Sequence, residues 1–315
     1  MEIKKVNVFF PVFIAAYLVL SILGAAIMAT VSHAGGTVPD WIQYVLSEGI
    51  ILVIAIAYMI IAGIDPVKDL PYKRIGIVDA LLSLVAGYCM VPMVLFISNV
   101  TMFFSTNYLE SSTTSLITYP FLMQVILMAV IPPLVEELVF RGIFFSTYRK
   151  AGMFGAAILS GIIFGCFHLN INQAVYAFAI GVVFAFMVEA TGSIWASVIA
   201  HFAINTYSIG IIALLKRAGM YTADGQMSQA LEEAGSVSTQ PEAVTIAVQM
   251  LILAIFAAGF MFLTVLCIKT MAKRNGRVER ISFGTMQKAG IKAYITIPAV
   301  ITIAACVIYM VILEI

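Results

Sequence analysis

The chain has 315 residues, of which 62% are hydrophobic and only 10% are charged. Its mean hydropathy of +1.06 excludes an ordinary soluble globular domain and indicates a polytopic membrane protein. The formal net charge of +1 predicts no basic surface for nucleic acid. We therefore expect the lipid bilayer, and no nucleic acid, as a partner.

Apolar runs define the predicted elements. Runs long enough to cross a bilayer lie at about 8–30, 42–63, 79–104, 117–145, 194–215, 244–271 and 291–314. Two shorter runs, at about 153–168 and 173–189, are separated only by 169–172 and predict a tight hairpin of short helices. The pattern predicts an all-α, polytopic transmembrane helix bundle with about nine membrane segments.

The positions of Lys and Arg predict the orientation of these segments. Apart from Arg141, Lys216 and Arg217, every Lys and Arg falls in loops or ends on one side of the predicted bundle. Basic loops face the cytoplasm. We therefore predict an integral, multi-pass protein with a cytoplasmic N-terminus and an outer loop at 216–243.

Three charged residues lie inside the fourth long run, at Glu136, Glu137 and Arg141. Charges in a membrane are costly and usually face a bundle interior, where they serve function. Glu137 and Arg141 are four residues apart, a spacing that favours an ion pair, whereas Glu136 lies about 100° around the helix. We predict that Arg141 holds Glu137 and leaves Glu136 available. Pro132 and Pro133, one turn earlier, lack backbone donors and predict a bend.

Two of the three histidines also fall in membrane segments. His168 ends the fifth run, and His201 precedes Asn205 by four residues, so these two side chains point to one side of a helix. His33 lies in the first outer loop and is interpreted as an ordinary loop residue. Each polar group alone could simply bond a neighbouring helix. The whole set, spread over three helices, instead favours a functional site.

The residue types indicate hydrolysis. A glutamate beside an imidazole can hold a water molecule and remove its proton, and a histidine with an asparagine can donate hydrogen bonds to an oxyanion. Glutamate and histidine are also zinc ligands, so a water bound to zinc by Glu136, His168 and His201 is an alternative. A transporter with a proton site at Glu136 or Glu137 is a further alternative, although the paired repeats common in transporters are absent from the sequence.

Three motifs, in this order and spacing, carry a resemblance to a known family: Glu136-Glu137-xxx-Arg141, Phe164-xxx-His168 and His201-xxx-Asn205. They resemble the motifs of the CPBP intramembrane proteases. This family contains the type II CAAX prenyl endopeptidases and the bacteriocin-processing and immunity proteins called Abi. The resemblance covers roughly residues 120–213.

The resemblance implies an intramembrane endopeptidase. It assigns catalytic roles to Glu136, His168, His201 and Asn205. The first two match the pair that activates water, and the last two match the pair that stabilises the oxyanion or, in an older view, helps to bind zinc. Glu137 and Arg141 match the remaining positions, to which we assign a supporting ion pair. We expect no obligatory metal, because an asparagine amide is a poor zinc ligand; zinc is the alternative cofactor.

The implied substrate is a membrane-associated peptide or protein, either lipidated or a bacteriocin precursor, and the implied location is a bacterial plasma membrane. A non-catalytic immunity or scaffold protein of the same fold is the alternative function. We divide the chain into N-terminal transmembrane helices at 1–116, a four-helix protease-like core at 117–215, and an outer loop with C-terminal transmembrane helices at 216–315.

Overall fold

The computed structural model describes residues 2–106, 118–220, 243–281, 294 and 296–314, and the regular elements within them are helices. A single isolated β-bridge, between Tyr72 and Ser193, occurs in these ranges. The helices are α1 (Ile3–His33), α2 (Trp41–Ala62), α3 (Pro66–Asp69), α4 (Ile77–Thr101), α5 (Phe121–Tyr148), α6 (Met153–Phe167), α7 (Ile171–Thr191), α8 (Trp195–Arg217), α9 (Ala243–Arg274) and α10 (Ile297–Leu313), with a 3₁₀ turn at Val278–Ile281.

The predicted polytopic helical bundle is confirmed, but the number of full spans is seven in the described residues, not about nine. Helix α6 has 15 residues and reaches only about 22 Å at 1.5 Å per residue, short of a hydrocarbon core of about 30 Å. Helix α10 has 17 described residues. Its predicted start at 291–293 lies outside the described residues, as does 221–242 of the predicted outer loop.

The second half of the predicted short hairpin is a full-length helix. Helix α7 has 21 residues, because the Asn170 side chain caps its start by accepting from the Gln173 amide. It ends where Gly192 adopts a left-handed conformation, with φ of 75°, which favours glycine. The predicted hairpin is therefore asymmetric, with a short α6 followed by an α7 long enough to span.

Small residues bring α6 and α7 close together. A Cβ atom added at Gly165 would lie 2.6 Å from the Ala174 carbonyl oxygen, and one added at Gly181 would lie 3.0 Å from the Gly161 Cα atom. Such close backbone approach is typical of packed membrane helices. It holds the α6–α7 turn, with His168 at its start, firmly in the bundle.

The loops define two faces of the bundle. At one face, Ile194 donates from its backbone to the Pro71 carbonyl at 2.9 Å, and the Glu189 carboxylate contacts three guanidinium groups, those of Arg149, Arg277 and Arg280. We call this the basic face. At the other end, the Thr106 amide donates to the Glu314 carboxylate at 2.8 Å. We call this the opposite face; it also carries 34–40 and 169–170.

Candidate active site

The site is organised by an irregular helix, α5. It runs as π-helix over Val125–Val130, as α-helix over Ile131–Glu137 and as π-helix over Leu138–Phe145. Pro132 and Pro133 lie directly after the first change of helix type. We predicted a bend at these prolines; the structure shows a change in hydrogen-bonding register, a feature that often marks functional sites.

The two prolines leave one backbone carbonyl without its usual donors. The Met128 carbonyl would accept from residue 132 in an α-helix and from residue 133 in a π-helix. Proline has no N–H, so both donors are missing. The Asn205 side chain donates to this oxygen from Nδ2 at 2.8 Å. Asn205 thus supplies the missing hydrogen-bond donor to the Met128 carbonyl of α5 and also lines the site. The sequence motif does not reveal this structural role.

Glu137 and Arg141 form the ion pair that their spacing predicts. Arg141 Nη1 donates to Glu137 Oε1 at 2.9 Å, and both side chains are fully buried. The guanidinium carbon lies 4.4 Å from the centroid of the Phe164 ring and 5.1 Å from that of Phe184. Aromatic faces attract such a cation, which accounts for Arg141 Nε and Nη2 having no hydrogen-bond partner among the described residues.

Glu137 also contacts a histidine from another helix, which sequence spacing did not predict. Its Oε1 atom lies 3.2 Å from His201 Nδ1. A carboxylate accepts, so Nδ1 donates, and His201 Nε2 becomes the ring nitrogen that points toward Glu136. Glu137 therefore holds both Arg141 and His201 in place.

Glu136 has no such partners. It is 8% exposed, and its Oε2 atom lies 3.8 Å from His201 Nε2. That separation is longer than a hydrogen bond, and no other hydrogen bond to Glu136 occurs in the described part of the chain. The two adjacent acids thus differ as predicted, one paired and one available.

His168 is oriented by its own helix. Its Nδ1 atom lies 2.8 Å from the Phe164 carbonyl oxygen. A carbonyl only accepts, so Nδ1 carries the proton and Nε2 keeps its lone pair. The ring packs edge-on against Phe164, with centroids 4.9 Å apart. His168 is consequently held as an imidazole whose free nitrogen can accept a proton.

One cavity of about 1030 Å³ contacts all four predicted catalytic side chains, those of Glu136, His168, His201 and Asn205. Its lining residues include Asp40 and Leu169, so it lies toward the opposite face of the bundle. The remaining walls come partly from α1 and α2, outside the predicted core at 117–215; the boundaries of that core stay a prediction. Glu48 is the lining residue that sequence reasoning most clearly missed, although a carboxylate inside a predicted membrane run is itself a signal.

The predicted zinc ligands do not converge. Among the described His, Cys, Asp and Glu side chains, no group of three or more could hold a metal ion. Glu136, His168 and His201 share a cavity, and each histidine binds a protein acceptor through Nδ1, which leaves Nε2 as its available nitrogen. As placed, the described side chains form no zinc centre; the metal-free mechanism stays a prediction.

A family match concerns the same part of the chain. Residues 118–207 match the model of a family described as "Rce1-like: Type II CAAX prenyl endopeptidase Rce1-like". Over 88 residues, 28% of the chain, the sequence is 33% identical to "Putative membrane peptidase YdiL" of Bacillus subtilis (strain 168). The matched segment spans only 36% of that relative's length. No solved structure matches the chain.

Proposed function

We propose that the protein is an intramembrane endopeptidase, because residues 118–207 match the model of the Rce1-like, type II CAAX prenyl endopeptidase family. The observation that carries the proposal is the shared cavity. Glu136, His168, His201 and Asn205 come from three helices and all line it. A cavity of this volume admits both water and a peptide segment, and a hydrolase inside a membrane needs both.

Glu136 and His168 are proposed to activate the water. Glu136 has no hydrogen-bond donor of its own in the described residues, and His168 Nε2 keeps a lone pair. A water molecule held between them gives its proton to Glu136 as its oxygen attacks the peptide carbonyl carbon. The proton then passes to the leaving amine when the peptide bond breaks. Such positioned proton transfer typically accelerates a reaction about 100- to 10,000-fold.

His201 and Asn205 are proposed to stabilise the oxyanion that forms on the carbonyl. Asn205 has two N–H groups, and only one is needed for the Met128 carbonyl. His201 Nε2 can donate only while the ring carries both protons. Glu137, 3.2 Å from Nδ1, stabilises that form by its negative charge. The buried Arg141 in turn keeps Glu137 ionised, so the ion pair stabilises the doubly protonated form of His201 that donates to the oxyanion.

The cavity's position predicts where the substrate enters. The basic face carries Lys and Arg loops and is assigned to the cytoplasm. The cavity lies toward the opposite face, so we propose that it takes a membrane-associated peptide segment from the outer side of a bacterial plasma membrane. Lipidated proteins and bacteriocin precursors stay candidate substrates. Large apolar side chains exposed along α1 and α9, such as Ile22 (67%) and Phe262 (63%), provide the lipid-facing surface.

One observation favours a second function, that of a non-catalytic immunity or scaffold protein. Asn205 and Glu137 both make contacts that hold helices together, and such contacts would be kept without catalysis. The two functions differ in what Glu136 does. It contributes no hydrogen bond within the described residues, so a scaffold has no need of it.

Substrate trapping tests the proposed function. In one experiment, wild type and Glu136→Gln would each be cross-linked to bound peptides in their native membrane and then purified, and the bound peptides would be compared. In a second, each protein without cross-linking would be assayed for hydrolysis of those peptides in proteoliposomes. We expect Glu136→Gln to retain a peptide that wild type cleaves. The matched control is Glu2→Gln, since Glu2 is exposed at the start of α1. Equal hydrolysis by Glu136→Gln and wild type would exclude Glu136 as the base.

A further inference from the structure

Helix α2 presents a polar stripe to the cavity although it lies in a membrane span. Its members follow helical spacing of three and four residues: Asp40, Gln43, Tyr44, Ser47 and Glu48. This spacing places them on one helix face. Asp40 is exposed at the mouth, and Glu48 lies about 12 Å further along the helix. The stripe lies outside the family match at 118–207, so the catalytic motifs do not account for it.

Glu48 is a carboxylate without a counter-charge. Its Oε2 atom is buried and has no hydrogen-bond partner, and no ion pair involves it within the described residues. A buried charge normally requires a partner. Since Glu48 lines the cavity, a ligand in that cavity can supply a positively charged partner for its carboxylate.

The cavity is acidic as a whole. Asp40, Glu48 and Glu136 line it, and none of its described lining residues is Lys or Arg. His168 and His201 also line the cavity, and the nearby guanidinium of Arg141 is already paired with Glu137. Glu136 is nine-tenths buried, faces the same space and has no hydrogen bond in the described residues. Glu136 has His201 Nε2 at 3.8 Å, whereas Glu48 has no ion-pair partner in the described residues, so a cation brought by a ligand would be attracted to Glu48.

We propose that Glu48 determines substrate specificity by binding a positively charged group, the side chain of Lys or Arg or a free amine, close to the scissile bond. This rests on the proposed endopeptidase function and names its substrate class. A charge-assisted hydrogen bond to the ammonium or guanidinium group satisfies Glu48. A terminal carboxylate placed beside Glu48 would meet like charge. The preferred substrate is therefore a cationic segment cut internally.

The test uses the full-length protein in proteoliposomes and a fluorogenic peptide library randomised around the cleavage site. We expect wild type to cleave peptides with Lys or Arg at one position in preference to matched peptides with Gln or Glu. In Glu48→Gln this preference should fall about 30-fold or more in kcat/KM, the typical cost of losing one partner of a buried charge pair. Glu48→Lys should favour acidic peptides, and Glu2→Gln should behave as wild type.

Peptide binding separates this inference from the proposed function. Fluorescence anisotropy of labelled Lys and Glu peptides, measured on wild type and Glu48→Gln, reports the charge preference even if no peptide is cut. A preference that Glu48→Gln abolishes supports the inference whether or not hydrolysis occurs. Binding without charge preference, or Glu48→Gln lowering kcat for all peptides equally with a changed pH profile, would overturn it and assign Glu48 to proton transfer.

Discussion

Adjacent glutamates give the most demanding test of this site, because Glu136 and Glu137 differ only in what they contact. Glu137→Gln keeps the side-chain shape but removes the charge that Arg141 contacts at 2.9 Å. Arg141 is fully buried and would then have a neutral amide and two aromatic faces in place of its carboxylate. Breaking a buried pair by removing one partner costs about 3–5 kcal/mol. Glu136→Gln breaks no hydrogen bond in the described residues, and we expect its unfolding free energy to change by less than about 1 kcal/mol.

Both variants should lose hydrolysis, so activity alone does not separate them. The assay is therefore denaturant unfolding in one detergent, followed by far-UV circular dichroism, beside peptide hydrolysis. The control is the double variant Glu137→Gln with Arg141→Met, which removes both charges and should recover much of the lost stability. Equal destabilisation by the two single variants, or no recovery in the double variant, would refute the division of roles.

Four further outcomes follow from the same geometry. Asn205→Ala should slow turnover about 100- to 1,000-fold by removing an oxyanion donor and lower stability by about 1–3 kcal/mol through the unsatisfied α5 carbonyl; Asn205→Asp should not rescue turnover, and an unchanged kcat would contradict the oxyanion role. Gly181→Ala should reduce activity and melting temperature, since its Cβ atom would lie 3.0 Å from Arg141 Nη2; wild-type values for both would contradict this packing. In intact cells an impermeant thiol reagent should label Gly36→Cys but not Lys68→Cys, and the reverse pattern would overturn the orientation. Chelator treatment should leave the purified protein active. The metal-free mechanism would be contradicted if the protein held stoichiometric zinc, lost activity when the zinc was removed and regained activity when zinc was returned.

Local sequence spacing was sufficient for the helices and for one contact of the site. Apolar runs predicted the transmembrane bundle because each membrane helix must present about 20 apolar residues to lipid. The Glu137–Arg141 pair was predictable because both residues lie on one helix, four positions apart. The motifs containing His168, His201 and Asn205 indicated a family resemblance over the central segment, where a family model also matches, since order and spacing are properties of the chain itself.

Sequence spacing did not predict helix lengths where polar contacts at helix ends decide them. The predicted count of about nine segments exceeds the seven full spans because it included α6, whose short length was predicted, and α10, which has 17 described residues. The length of α7 was underestimated because its cap at Asn170 starts the helix at Ile171, before the predicted run. The error in α7 concerns a helix end, where one or two polar contacts decide the length. A hydropathy run carries little information about such contacts.

Only the tertiary structure decided which polar groups on different helices contact each other. It brought His201 to Glu137 across 64 positions of sequence and Asn205 to the Met128 carbonyl across 77, and it placed Glu48 at the same cavity as Glu136. These contacts depend on how whole helices pack, which is set by side chains distributed over the entire bundle. The sequence by itself determined which residues could do chemistry; helix packing decided which of them face one another.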